Sequence, residues 1–198
     1  MWNSLNILMI DNYVLQIIKS NGWTEKRDFY SADEWISEIE KAGFHCFDCA
    51  RSILHLFGGL KIKEYSPKVC QNFLKKNLPN DSHKEQYLRT LKIIKELKID
   101  GAEDKYTGAT FTFDAIDALS DQEIVLDPKI TQDIVSDDIF PIGTVEPDGI
   151  SYVSEEGKIF VVFNDSIFLA GKTIEDYLNT AFIKAKKPIL IYKVADFC

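Results

Sequence analysis

With 198 residues, 45% of them apolar and 27% charged, the chain can bury a substantial core and is too apolar to be disordered, so one domain over residues 1–198 is the expectation. A net charge of −8 opposes contact with phosphate backbones, which excludes nucleic acid as the expected partner. No run approaches about eighteen apolar residues, and the amino terminus lacks a basic region and a small-residue cleavage pattern, so neither membrane nor secretion is signalled and a cytoplasmic protein is expected.

Residues 5–20 read as a helix with Leu5, Leu8, Tyr13, Leu15, Ile17 and Ile18 on a broad apolar face and Asn21-Gly22 as its stop. Gly22-Trp23 reads as a capping glycine followed by an aromatic that docks on the helix end. Arg27 is then placed to bond carbonyls there or to stack on the indole. A second helix starts near Asp33, turns Trp35, Ile36 and Ile39 inward, and ends at Gly43. A third covers Ala42 to Phe57, on the periodicity of Phe44, Phe47, Ile53, Leu54 and Phe57, and closes on Gly58-Gly59.

Leu60 to Tyr65 alternates apolar and polar, the period of a half-buried strand, and Pro67 interrupts. From Cys70 to Ile99 the pattern is helical and basic, broken at Leu78-Pro79-Asn80-Asp81, with Tyr87, Leu91, Ile94 and Leu97 along one face of its second part. A strand is expected at Ala109 to Phe113. A helix is expected from Pro128 through Val135, with Asp127 as N-cap and proline at the first position.

The last third reads as a meander of short strands. Phe140 to Glu146, Ile150 to Ser154, Lys158 to Phe163 and Ser166 to Ala170 are separated by turns at Pro147-Asp148-Gly149, Glu155-Glu156-Gly157 and Asn164-Asp165. Pro141-Ile142-Gly143 suits the start of an edge strand. Thr173 and Asp176 have capping-box spacing for a helix from Ile174 to Ala185, and Pro188 to Tyr192 adds a final strand. N-terminal helices followed by a mostly antiparallel sheet with a C-terminal helix packed on it is an α+β fold.

Chemistry is harder to place. There is no phosphate-cradling glycine loop, nucleophile elbow or paired-histidine zinc motif. His45 and His55, read on one helix, face different directions. Cys46 and Cys49 have the spacing of redox and zinc pairs, but no second pair follows and the spacing of His45, His55 and Cys70 matches no ligand pattern, so Cys46 and Cys49 read first as small core residues in a reduced protein. A small thiol oxidoreductase using Cys46 and Cys49 is the enzymatic alternative, and requires a lowered thiol pKa. No metal, cofactor or catalytic residue is assigned.

Between Asp100 and Asp165 the chain carries sixteen carboxylates against only Lys105, Lys129 and Lys158, a charge of −13 in 66 residues, so the other 132 residues sum to +5. Charge alone reads first as a solvated face, and only second as one that receives a basic partner.

In chain order, Gly22-Trp23-x-x-x-Arg27, Phe57-Gly58-Gly59-Leu60, Phe140-Pro141-Ile142-Gly143, Glu155-Glu156-Gly157-Lys158-Ile159-Phe160 and Gly171-Lys172-Thr173-Ile174 resemble the SUKH superfamily, and most of all its third immunity-protein subfamily. Residues 70–99 fit that pattern poorly and are read as a helical insertion. The resemblance implies a non-enzymatic bacterial immunity protein that binds a cognate polymorphic toxin domain in the cytoplasm and occludes it. Such toxins are often nucleases or deaminases, which are basic where they grip phosphate. The contact set expected for a basic toxin is Asp137, Asp138, Asp148, Glu155, Glu156 and Asp165, while Trp23, Gly58, Gly59 and Gly143 are given structural roles. A general protein-interaction adaptor is a further alternative, and the oligomeric state is left open.

Overall fold

Seven strands follow one another across a single antiparallel sheet in chain order: β1 (Lys61–Glu64), β2 (Ala109–Thr112), β3 (Ile139–Val145), β4 (Gly149–Ser154), β5 (Ile159–Val162), β6 (Ser166–Gly171) and β7 (Ile189–Lys193). The architecture comes from a computed structural model, which describes residues 6–76 and 82–194. Three helices precede the sheet, α1 (Asn12–Ser20), α2 (Ala32–Lys41) and α3 (Asp48–Phe57). Between β1 and β2 lie α4 (Pro67–Lys76), α5 (Lys84–Glu96) and α6 (Ala102–Lys105). Between β2 and β3 lie α7 (Ala115–Ser120) and α8 (Pro128–Val135), and α9 (Ile174–Phe182) links β6 to β7. The α+β expectation, with a C-terminal helix against the sheet, is the observed fold.

Both faces of the sheet are covered. On one face Phe111, Phe140, Ile142 and Val161 join a core with α1, α3 and α9. On the other, Ile150, Tyr152, Phe160 and Val162 pack under Ala118, Val125 and Ile134. Cover on both sides explains why β5, Ile-Phe-Val-Val, is buried at every position rather than alternating.

The basic segment between β1 and β2 is tied down by a buried carboxylate. Glu64 accepts from Arg89 of α5, from Thr90 Oγ1 at 2.9 Å and from Asn21 Nδ2 at 3.2 Å. The amino-terminal end is held by Asn179 of α9, whose Oδ1 accepts from Asp11 N and whose Nδ2 donates to Met9 O, each at 2.8 Å.

Several elements begin or end elsewhere than expected. The first helix starts at Asn12, because Asp11 accepts from Tyr13 N as its cap; Ile7–Met9 is a separate 3-10 turn, and Leu8 is 95% exposed. Leu5, and the break at residues 78–81, lie outside the described residues. The third helix starts only at Asp48, after an extended Phe47, so Cys46 and His45 lie before it. Gly43, at φ +100°, and that extended residue interrupt the apolar periodicity that suggested one continuous helix.

Pro67 opens α4 instead of merely interrupting, since a first-turn N–H has no partner to lose. Pro141 sits in β3, an interior strand between β2 and β4, at a register shift between Pro141 and Gly143. A bulge is where an interior strand tolerates a residue that cannot donate. Arg27 donates to Gly58 O at 2.5 Å and lies over Phe29, so it caps α3 rather than α1; Trp23 stacks on Phe57 instead. Finally α9 stops at Phe182, three residues short of Ala185.

Candidate functional site

The six carboxylates expected to bind a partner fall at two ends of the sheet. Asp137 and Asp138 lead into β3, and Glu155 and Glu156 form the β4–β5 turn beside them, with Glu155 N donating to Asp138 O at 3.2 Å. Asp148 lies in the β3–β4 turn and Asp165 in the β5–β6 turn, at the far end of β4. The six residues of β4, rising about 3.3 Å each, separate the two groups by about 20 Å. The structure therefore joins four of them at one end and two at the other.

The four-residue end is partly neutralised. Glu156 pairs with Lys158, whose ammonium is held protonated above its ordinary range first by that hydrogen bond. Asp137 is half-buried, and its Oδ2 has no hydrogen-bond partner among the described residues. Cys49 lies just beneath this turn and donates its thiol to Ser154 O at 3.1 Å.

The two-residue end is concave. Asp148 and Asp165 line a recess of about 500 Å³ together with Ile124, Pro147, Phe163 and Asn164. Beyond Pro147 and Phe163, which border both, opens a larger and mainly apolar cavity of about 630 Å³. Its walls come from β2 (Ala109, Phe111), the end of β3 (Val145), β6 (Phe168) and α9 (Ala181). Gly149 makes the arrangement possible, because a Cβ there would stand 2.7 Å from the Phe163 ring.

A third acidic group escaped the sequence reading. Asp114, Asp117 and Asp121 share one side of α7, and the Asp117 carboxyl is raised above its ordinary range first by desolvation and then by its two neighbours. Their spacing of three and four residues was the available signal. Asp114 is engaged in capping, accepting from Ile116 N and Asp117 N.

Both candidate thiols are shifted toward the protonated form. Burial pushes Cys46 up to about 11 and Cys49 up to about 12, opposite to the thiolate that redox chemistry needs. Among the described residues no group of three or more His, Cys, Asp or Glu is arranged to hold a metal ion, and no helix is long and apolar enough to cross a membrane.

A family model described as SUKH-3 immunity protein matches residues 10–182, a span that takes in both acidic ends and both recesses except Pro188. No curated protein and no solved structure matches.

Proposed function

The chain belongs to the SUKH-3 immunity protein family, and from that premise we propose that it binds a cognate polymorphic toxin domain in the cytoplasm and neutralises it by covering its surface, without catalysis. The observation that carries the reading is the family match across most of the chain. Two features of the molecule support it. Acidic side chains stand exposed at both ends of the sheet, as suits a basic nuclease or deaminase. The thiols, the alternative source of chemistry, are half-buried at Cys46 and buried at Cys49, and both are shifted toward the protonated form.

The contacts we assign are Asp137, Asp138, Asp148, Glu155, Glu156 and Asp165. We take residues 1–198 as one domain, with 70–99 as a helical elaboration anchored through Glu64. The test is co-purification of the chain with the toxin domain encoded beside its gene, followed by a toxin activity assay. A stoichiometric complex without toxin activity is the expected result. An active toxin in the presence of excess chain would refute the reading.

A further inference from the structure

The two recesses beside the β3–β4 and β5–β6 turns differ in chemistry and share a wall. The larger presents Phe111, Val145, Val161 and Phe168 and measures about 630 Å³, within the size range of sites that seat a large apolar group, about 300–1,000 Å³. The smaller measures about 500 Å³, and its charged lining consists of Asp148 and Asp165 alone. Neither carboxylate has an ion-pair partner among the described residues, although Asp165 accepts from Ser166 Oγ at 2.8 Å. Lys193, the nearest cation in register, faces Ser166 across β6–β7 and pairs with neither. Pro147 and Phe163 line both volumes, so the two recesses are neighbours. Two neighbouring side chains of one bound segment, presented from a turn rather than from an extended strand, can therefore enter both.

We propose that this pair of recesses seats a single segment of the bound toxin, an aromatic or branched apolar side chain in the larger and its neighbouring arginine or lysine between Asp148 and Asp165 in the smaller. The partner's identity rests on the toxin-binding reading; the chemistry of the site does not. Charge complementarity selects the cation, and the apolar walls select its neighbour. An aromatic–cation pair is also the composition that anchors many interfaces.

The site is tested without toxin. The full chain, labelled with nitrogen-15, is titrated with N-acetyl-Trp-Arg-amide, N-acetyl-Trp-Glu-amide and N-acetyl-Trp-amide. The arginine compound should bind tightest and the glutamate compound weakest, with saturable shifts at the amides of Val145, Gly149, Phe163 and Asp165. In the D148N/D165N variant the arginine compound should lose about twofold to fivefold in affinity, the size of one or two exposed ion pairs. N-acetyl-Trp-amide should bind that variant as before. Asparagine accepts the positive φ of 54° at position 148, so the fold is retained. Shifts that fail to saturate or that scatter over other surfaces would overturn the proposal, as would equal affinity for the arginine and glutamate compounds. A toxin bound by a chain that ignores all three compounds would refute the recesses and spare the immunity reading. Compounds bound in the expected order by a chain that leaves the toxin active would do the reverse.

Discussion

Gly143 shows how little room the sheet leaves at its irregular point. A Cβ on this residue would lie 1.9 Å from Thr112 O and 2.9 Å from Thr112 C, both backbone atoms of the neighbouring strand. Neither can yield without opening the β2–β3 pairing. Gly143→Ala should therefore destabilise by about 3 kcal/mol, the upper range for overpacking, while Gly43→Ala, with nothing within 4 Å but φ at +100°, should cost only about 1–2 kcal/mol of backbone strain. Thermal melts of the two variants decide it; equal losses would mean that β2 moves freely. The Cys46 and Cys49 thiols supply a second residue-scale expectation. Each folded-state pKa is raised, to about 11 for Cys46 and about 12 for Cys49, from an ordinary 9.0. The stability held by the neutral thiols is thus fully present below pH 9 and is lost as the pH climbs through that window. Urea titrations at pH 7 and pH 10 should show the decline, and the Cys49→Ala variant should show a shallower one. At pH 8, a thiol reagent should react slowly with both until the chain is unfolded.

Among the elements, β1 separates what alternation reveals from what it hides. Leu60 and Ile62 were legible as inward residues, and the same period carries Glu64 inward, where it is 3% exposed. A carboxylate at that position reads as solvent-facing until Arg89 and Thr90 arrive from α5, a contact 25 and 26 residues away that local pattern cannot supply. The capping of α8 by Asp127 was readable because it is local, its Oδ1 accepting from Lys129 N at 2.8 Å. So was the Thr173 cap of α9, although the Asp176 carboxylate returns to Lys172 N rather than to the cap residue itself. By contrast α6 and α7, of four and six residues, are too short to show a period and were missed. Glu64 leads to a prediction at this scale. Glu64→Leu alone strands the Arg89 guanidinium and should cost about 2–4 kcal/mol, at the lower part of the range for broken buried pairs because the Arg89 side chain is 33% exposed. Adding Arg89→Met removes the stranded charge and should restore most of the loss in urea denaturation. A double variant less stable than the single one would show that Arg89 holds α5 in place without Glu64.

For the whole molecule, the total charge and its concentration in residues 100–165 were plain from composition, whereas its division between two ends depends on topology. Successive hairpin turns of an antiparallel meander alternate ends, so the turns at Asp148 and Asp165 must share one end and the Glu155-Glu156 turn must occupy the other. That consequence was already contained in the expected strand order; the recess beside Asp148 was not, since it is built by the β3–β4 and β5–β6 turns and Ile124 together. The two ends should then act on different steps of toxin association. At the Glu155-Glu156 end, Glu156 is paired with Lys158 and Asp138, Glu155 and Glu156 are exposed, so their part is to steer a basic partner through solvent. Such an effect decays within a Debye length of about 8 Å at physiological salt. At the concave end, Asp148 and Asp165 would lie under the bound toxin, where losing a charge speeds dissociation. In surface plasmon resonance with the toxin domain encoded beside the gene, E155K/E156K should lower kon several-fold at low salt, and the difference from wild type should vanish near 0.5 M sodium chloride. D148K/D165K should instead raise koff, and should still do so at that salt concentration. An effect of both variants on kon alone would place the toxin away from the recess, and an effect of the Glu155/Glu156 reversal on koff would move the centre of the interface to the opposite end of the sheet.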